Sequence, residues 1–279
     1  MHVPTNLDTK TPSKKSQPSQ IASPPLDEPT PAQPTQIITI PIRENAALEK
    51  SNSTDGKIWK EALDILEKSE GFRALYWGVH VENELEEEGT GRVEVVVVRE
   101  SMNNHQAFLS SPSYTNLLNT LAPLSPSTRS NSAPRIQIYH AHLSHFTRSP
   151  STLTPPSNSN PDFVTGTAIY LTTQKSSFLK TWSLWTTIIP RIPGCLGCTG
   201  GFISESVDGH PAGSAYVVYV GWESIKAHEE YHTTKDFKRR GVILGLWNRG
   251  WRGYGHVRFL GGRGSLDWDE QRKRERGKL

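Results

Sequence analysis

The stretch Gly221-Trp222-Glu223-Ser224-Ile225-Lys226-Ala227-His228, continuing as Glu229-Glu230-Tyr231-His232-Thr233-Thr234-Lys235-Asp236-Phe237, reads as the end of a strand running straight into an amphipathic helix. The same design stands 123 positions earlier, from Glu100-Ser101-Met102-Asn103-Asn104-His105 through Tyr114. At that offset Glu100 falls on Glu223, Ser101 on Ser224 and His105 on His228, while Phe108 meets Tyr231 and Tyr114 meets Phe237. Between Lys57 and Leu121 the offset needs no gap. Lys57, Trp59, Gly71, Gly78, Glu82, Val95, Val97 and Leu121 find identical partners in Lys180, Trp182, Gly194, Gly201, Glu205, Val218, Val220 and Leu244. One structural unit is therefore expected twice.

Outward from that stretch, both halves show the same order of elements. A β-branched strand is expected over 36–43, with Pro41 restricting it to an edge or a bulge. A helix carrying Ile58, Trp59, Ala62, Leu63, Ile65 and Leu66 on one side follows and ends at Gly71. Then come a strand over 72–82, an acidic loop over 84–91, a strand over 92–99, one helix from Ser101 to about Leu124, and a strand over 135–143. The second half repeats this with a strand over 163–171, a helix from about Ser176 to Ile189, strands over 198–207 and 212–222, the opening helix, and a strand over 255–260. Both halves read β-α-β-β-α-β, an α+β fold of two tandem ferredoxin-like units. Each unit makes a four-stranded antiparallel sheet with its helices on one face. The other face needs a partner, which the units supply to each other, sheet to sheet, as a pseudo-dimeric α/β barrel. The expected division is a disordered N-terminal segment over 1–35, a first unit over 36–143, a linker over 144–162, a second unit over 163–262 and a charged tail over 263–279.

Composition narrows the function classes. Only 34% of the 279 residues are hydrophobic, in keeping with terminal and linker segments that bury no core. A net charge of +3 gives no field that argues for nucleic acid. No apolar run approaches the roughly 20 residues that span a bilayer, so a soluble, cytoplasmic protein is expected. Residues 1–35 contain no apolar signal core, and Asp8, Asp27 and Glu28 disfavour a transit peptide. The basic tail ends in Gly277-Lys278-Leu279, similar to a peroxisomal Ser-Lys-Leu address but with glycine in place of serine. Cys195 and Cys198 stand where the first half has Phe72 and Leu75, so they read as apolar core positions rather than a redox or zinc motif.

A family resemblance follows from these residues. Trp222-Glu223-Ser224-Ile225-Lys226-Ala227-His228, followed by His232 through Phe237, is similar to the helix start of antibiotic biosynthesis monooxygenases, where Ala-His precedes a short Ser-Pro-aromatic segment. The first half keeps Ser111-Pro112-Ser113-Tyr114 but has Leu109 where the second has His232. Phe72 through Gly78 resembles the family's second strand in fungal-type members, and the resemblance spans roughly 36–262. It implies a dimeric α/β barrel that oxygenates a small aromatic or polyketide-like substrate without metal, flavin or other cofactor. Such chemistry needs a base for an acidic substrate proton and donors for the resulting enolate or phenolate, after which the carbanion reduces oxygen. The alternative is a non-catalytic ligand-binding or scaffolding protein that retains the fold, and some relatives degrade haem. Either way the expected partner is a small aromatic molecule, and the expected chain is a monomer with an internal pseudo-dimer, compatible with further homo-oligomers.

Candidate site residues follow from pattern and departure. His232, together with Tyr231, is the catalytic candidate, because His232 lies where the two halves part company. His228 shares its position with His105, and a residue present in both units reads first as a buried histidine holding helix to sheet. Tyr76, Trp77 and His80 alternate along the second strand, and Trp222 ends the seventh, as aromatic walls for a flat ligand. His140 and His142 share one side of the last strand of the first half, with His145 just beyond. A His-x-His pair still needs a third ligand for a catalytic metal, and none is evident, so no metal is expected.

Overall fold

The computed structural model describes residues 32–81, 90–126, 136–145, 152–153 and 162–264. Most of the expected N-terminal segment, linker and tail lie outside the described residues, as does most of the acidic loop.

The first unit comprises β1 (Gln33–Arg43), α1 (Thr54–Glu67), β2 (Phe72–His80), β3 (Thr90–Arg99), α2 (Met102–Leu109), α3 (Pro112–Leu121) and β4 (Gln137–His145). The second comprises β5 (Val164–Thr172), α4 (Lys175–Thr186), β6 (Cys195–Phe202), β7 (Ala215–Trp222), α5 (Ile225–His232), α6 (Lys235–Gly245) and β8 (Asn248–Gly264). The single helix expected from Ser101 to Leu124 is in fact two, and the opening helix of the second unit divides in the same way. Capping explains the break. Ser101 Oγ accepts from Asn104 N at 3.2 Å to start α2, and Ser111 Oγ accepts from Tyr114 N at 3.4 Å to start α3, with Pro112 in the first turn. The twin residues Ser224 and Thr234 do the same for α5 and α6, accepting from Ala227 N and Phe237 N at 3.1 Å each. A second N-cap one turn after the first helix redirects the chain rather than extending it.

The eight strands close into one barrel in the order β1-β3-β2-β8-β5-β7-β6-β4, and every neighbouring pair is antiparallel. Each unit contributes four consecutive strands, so the barrel has two seams, β2·β8 and β4·β6, where one unit pairs with the other. Pro41 is tolerated in β1 because β4 pairs no further than Thr39↔Gln137, leaving Pro41 with β3 as its one strand neighbour. β8 is much longer than the expected 255–260 run. Its glycines carry little strand propensity, and pairing with β5 on one side and β2 on the other extends it.

Side chains alternate across this wall. Ile37, Val96, Ala141, Leu143, Val217, Tyr219, Val257 and Phe259 fill the barrel interior from both units. Outside it, α1 and α3 cover the first sheet through Trp59, Leu63, Leu66, Leu117 and Leu121. In the second unit Phe178, Trp182, Trp185, Tyr231 and Leu244 cover the other.

The repeat partners Gly78 and Gly201 stand at the two seams. A Cβ at Gly78 would collide with the carbonyl oxygen of Arg258, and one at Gly201 with that of His142. A side chain there forces the units apart. Gly78→Ala and Gly201→Ala are each expected to destabilise by about 1–3 kcal/mol, the usual cost of overpacking. Gly241→Ala, in α6 with open space around it, is expected to stabilise by roughly 0.5–1 kcal/mol through helix propensity. Urea unfolding of the three variants checks both signs.

Candidate active site

Between the outer face of the second sheet and helices α4–α6 lies a cavity of about 240 Å³. Its floor is Gly166, Ala168 and Tyr170 of β5 with Val218, Val220 and Trp222 of β7. Trp182 and Trp185 of α4 form one wall. His228, Tyr231 and His232 of α5, with Phe237 and Arg240 of α6, form the other. Trp251 and Tyr254 of β8, 55% and 50% exposed, stand at the rim. It is of the order of the smaller ligand pockets, aromatic on nearly every side, with a few polar groups converging.

Histidines make up the polar end. His228 stacks on Trp222 with ring centres 4.6 Å apart, and its Nδ1 lies 2.7 Å from Nε2 of the buried His256 on β8. One ring must donate and the other accept, so the pair is joined by a single proton. Burial, together with the neighbouring His256, His232 and Arg240, pushes His228 down to about 3. His232 is half-buried. Its Nε2 lies 3.4 Å from the Tyr254 hydroxyl, and burial followed by the Arg240 charge lowers its pKa. Tyr231 is held up at about 12 by burial. The Trp185 indole stands close enough to favour the phenolate somewhat, yet neither Tyr231 Oη nor Trp185 Nε1 completes a well-formed hydrogen bond, and Trp222 Nε1 is also unpartnered. The Arg240 guanidinium lies 4.8 Å above the Phe237 ring, and its Nε is buried without a hydrogen-bond partner.

The first unit shows what the same positions look like when filled. Gln36 lies opposite His140 and Val97; Gly166 lies opposite His256 and Val220. Val97 and Val220 are repeat partners, so Gln36 corresponds to Gly166 and His140 to His256. Arg99 takes the place of Trp222, and His105 that of His228. Arg99 is fully buried, and its guanidinium donates to Ser69 Oγ at 2.8 Å, Gln36 Oε1 at 3.2 Å and His105 Nδ1 at 2.8 Å. Desolvation lowers its pKa to about 10. His105 then donates from Nε2 to the Pro34 carbonyl at 3.2 Å, the helix-to-sheet tie expected of both twins. In the second unit that tie is replaced by the histidine pair. A Cβ at Gly166 would sit only 3.1 Å from His228 Cε1, so glycine there lets the imidazole lie directly against the sheet.

Of the candidate residues, His228, Tyr231, His232 and Trp222 come together at this cavity, whereas Tyr76, Trp77, His80, His140 and His142 do not reach it. Trp77 packs edge-on against Trp59 in the first unit's core. Tyr76 points into the barrel. His80 approaches Glu94 Oε2 at 3.3 Å, not aligned as a hydrogen bond, and Glu94 also accepts from Tyr219 Oη at 2.7 Å. His140 accepts from Gln36 and donates to Glu205 Oε1 at 2.6 Å, while His142 is exposed on the far side of the barrel wall. Among the described residues no group of three His, Cys, Asp or Glu is arranged to hold a metal. Cys195 and Cys198 are not joined in a disulfide; Cys198 is buried, and burial raises the Cys195 thiol to about 12.

Sequence reasoning missed His256, Arg240, Trp185 and Gly166. The signal for Arg240 was present, since its twin is Leu117. His256 was hidden because its twin His140 lies outside the ungapped offset.

Comparisons with known proteins are consistent with this architecture. No family model matches the chain, and no curated protein does. Among solved structures, an anthrone oxidase-like protein is 12% identical over 86% of this chain and 98% of its own, with a TM-score of 0.56. A proposed monooxygenase from Fusobacterium nucleatum is 8% identical over 84% of this chain and 95% of its own, at 0.53. Another from Lactobacillus acidophilus is 9% identical over 83% and 96%, at 0.50. At such identity these likenesses show the fold alone, an eight-stranded antiparallel barrel flanked by helices.

The buried histidines set a pH dependence. His105 and His228 both remain neutral in the folded chain to about pH 3, but charge near 6.5 when unfolded. The stability they support is complete above about pH 6.5 and lost as pH falls towards 3. Near pH 5 each is expected to remove up to about 1.4 kcal/mol per pH unit. His228→Asn should remove one of the two contributions, as read from urea midpoints at pH 7 and pH 5.

Proposed function

We propose that the second-unit cavity binds a small planar aromatic molecule and oxygenates it with molecular oxygen, without a protein-bound redox group. The observation that carries this reading is the hydrogen-bonded pair His228–His256 at the end of an aromatic slot. The step is written for an anthrone-like substrate with an acidic ring CH₂. A carbon-bound proton passes to an imidazole of the pair, and the electron pair stays on the ring as an enolate. Burial disfavours the His228 imidazolium, and a negative charge formed beside the ring compensates it. The enolate then gives its electrons to oxygen, a carbon–oxygen bond forms, the peroxide takes the proton back from the imidazolium, and the resulting hydroperoxide loses water. One CH₂ and one O₂ become one C=O and one H₂O. Trp185 and Trp222 indole N–H groups are placed to hold the enolate oxygen, and the aromatic walls keep water from the carbanion.

Oxygen consumption with an anthrone tests this. His228→Ala and His256→Ala are expected to lower kcat by 10²–10⁴-fold, the usual share of a general base. His232→Ala should act less on kcat than on KM, since His232 sits at the rim beside Tyr254. His142→Ala, exposed and remote, should leave turnover unchanged. A non-catalytic binding role is the second reading, favoured by the filled first-unit twin. Binding of the anthrone with no oxygen consumed would select it.

A further inference from the structure

The charge of the cavity wall points to a more specific ligand, and we propose that the second-unit site selects planar aromatics carrying an oxygen acid already ionised at neutral pH, with Arg240 as the specificity-determining residue. The inference rests on the cavity reading above but not on turnover. Among the described residues no aspartate or glutamate lines the cavity, and Arg240 is its one permanently charged side chain. Among the described residues Arg240 makes no ion pair, and its buried Nε has no hydrogen-bond partner. The acid nearest in sequence, Asp236, is engaged by Arg239 at 2.8 Å, and Glu229 is exposed on the solvent side of α5. The guanidinium instead faces inward, where its charge is felt by His228, His232, Tyr170 and Tyr231.

The remaining polar atoms have the same bias. Trp222 Nε1 is a buried indole N–H donor without a partner, Trp185 Nε1 has only its poorly formed approach to the Tyr231 hydroxyl, and an indole nitrogen cannot accept. The Tyr231 hydroxyl is buried and unpartnered too, and burial keeps it protonated. A cation and buried donors, with no acid among the described lining residues, are satisfied by a ligand that brings acceptors and a negative charge. Contrast with the twin supports the assignment. Buried Arg99 in the first unit has all its neighbours arranged around it, using Ser69, Gln36 and His105 as internal acceptors. Arg240 has no such set.

Two isosteric probes separate the possibilities at pH 7: 2-naphthoate, which is ionised, and 2-naphthamide, which is not. Quenching of the wall tryptophans Trp182, Trp185, Trp222 and Trp251 reports binding. At least a tenfold preference for naphthoate is expected in the unaltered protein. Arg240→Met should abolish the preference while retaining naphthamide binding, and Arg240→Lys should keep part of it. The retained naphthamide binding doubles as evidence that the variant folds. Equal binding of the two probes by the unaltered protein overturns the charge selectivity alone. Failure of both to bind rejects the cavity as an aromatic site, and the oxygenase reading with it.

Discussion

Closure of the barrel is the constraint on which the other features depend. Each unit alone presents a four-stranded sheet with helices on one face and an apolar face left bare. The two bare faces become the interior, where Ile37 and Val96 meet Val217, Tyr219, Val257 and Phe259. Interior packing is reinforced by a buried polar link between units, Tyr219 donating to Glu94 with His80 alongside. The seams tolerate no side chain at Gly78 or Gly201, because the backbone of the neighbouring unit occupies that space. Pairing across the two seams leaves neither sheet with a wholly open edge. The outer faces are thereby held rigidly enough to support a site.

On that shared frame, small changes in residue size separate two chemically different compartments. In the first unit Arg99 and Gln36 occupy the space between helix and sheet. They pass hydrogen bonds on to His140 and thence to Glu205 of the other unit. A fully buried guanidinium is tolerable there because neutral acceptors surround it, though its lowered pKa records the desolvation. In the second unit Trp222 and Gly166 stand at those positions. Glycine removes volume beside the sheet, and the indole lies flat under His228 rather than crossing the gap. What remains is open space between aromatic walls. One copy is thus filled between helix and sheet, and the other keeps a cavity there.

The histidine that both units share behaves differently in each. His105 has a cation on one nitrogen and a backbone carbonyl on the other, which fixes its tautomer and leaves it no further role. His228 has another imidazole as its neighbour, so the proton between them can be held by either ring. Proton transfer is available only to the second arrangement. Position in a repeat therefore establishes that a side chain is buried, while its partners decide whether it can act.

Element order, the repeat, and the buried positions Trp59, Trp182, His105 and His228 were legible in the residues, because periodicity and the ungapped 123-residue offset are local properties. So was the interest of Tyr231, His232 and Trp222. Less legible were the helix breaks, decided by the second caps Ser111 and Thr234, and the length of β8, decided by strands on both its sides. Tyr76, Trp77, His80, His140 and His142 looked equivalent to the residues that do meet at the cavity, since alternation along a strand does not say which face lies under a helix or inside a barrel. The sequence by itself determined two βαββαβ units and their apolar faces, for these follow from side-chain spacing along the chain. Only the tertiary structure decided in which unit the space between helices and sheet stays open and which residues converge there. Pairing of His228 with His256, and the convergence of Arg240 with the β5 and β7 floor, depend on strands and helices far apart in the chain being brought together by barrel closure.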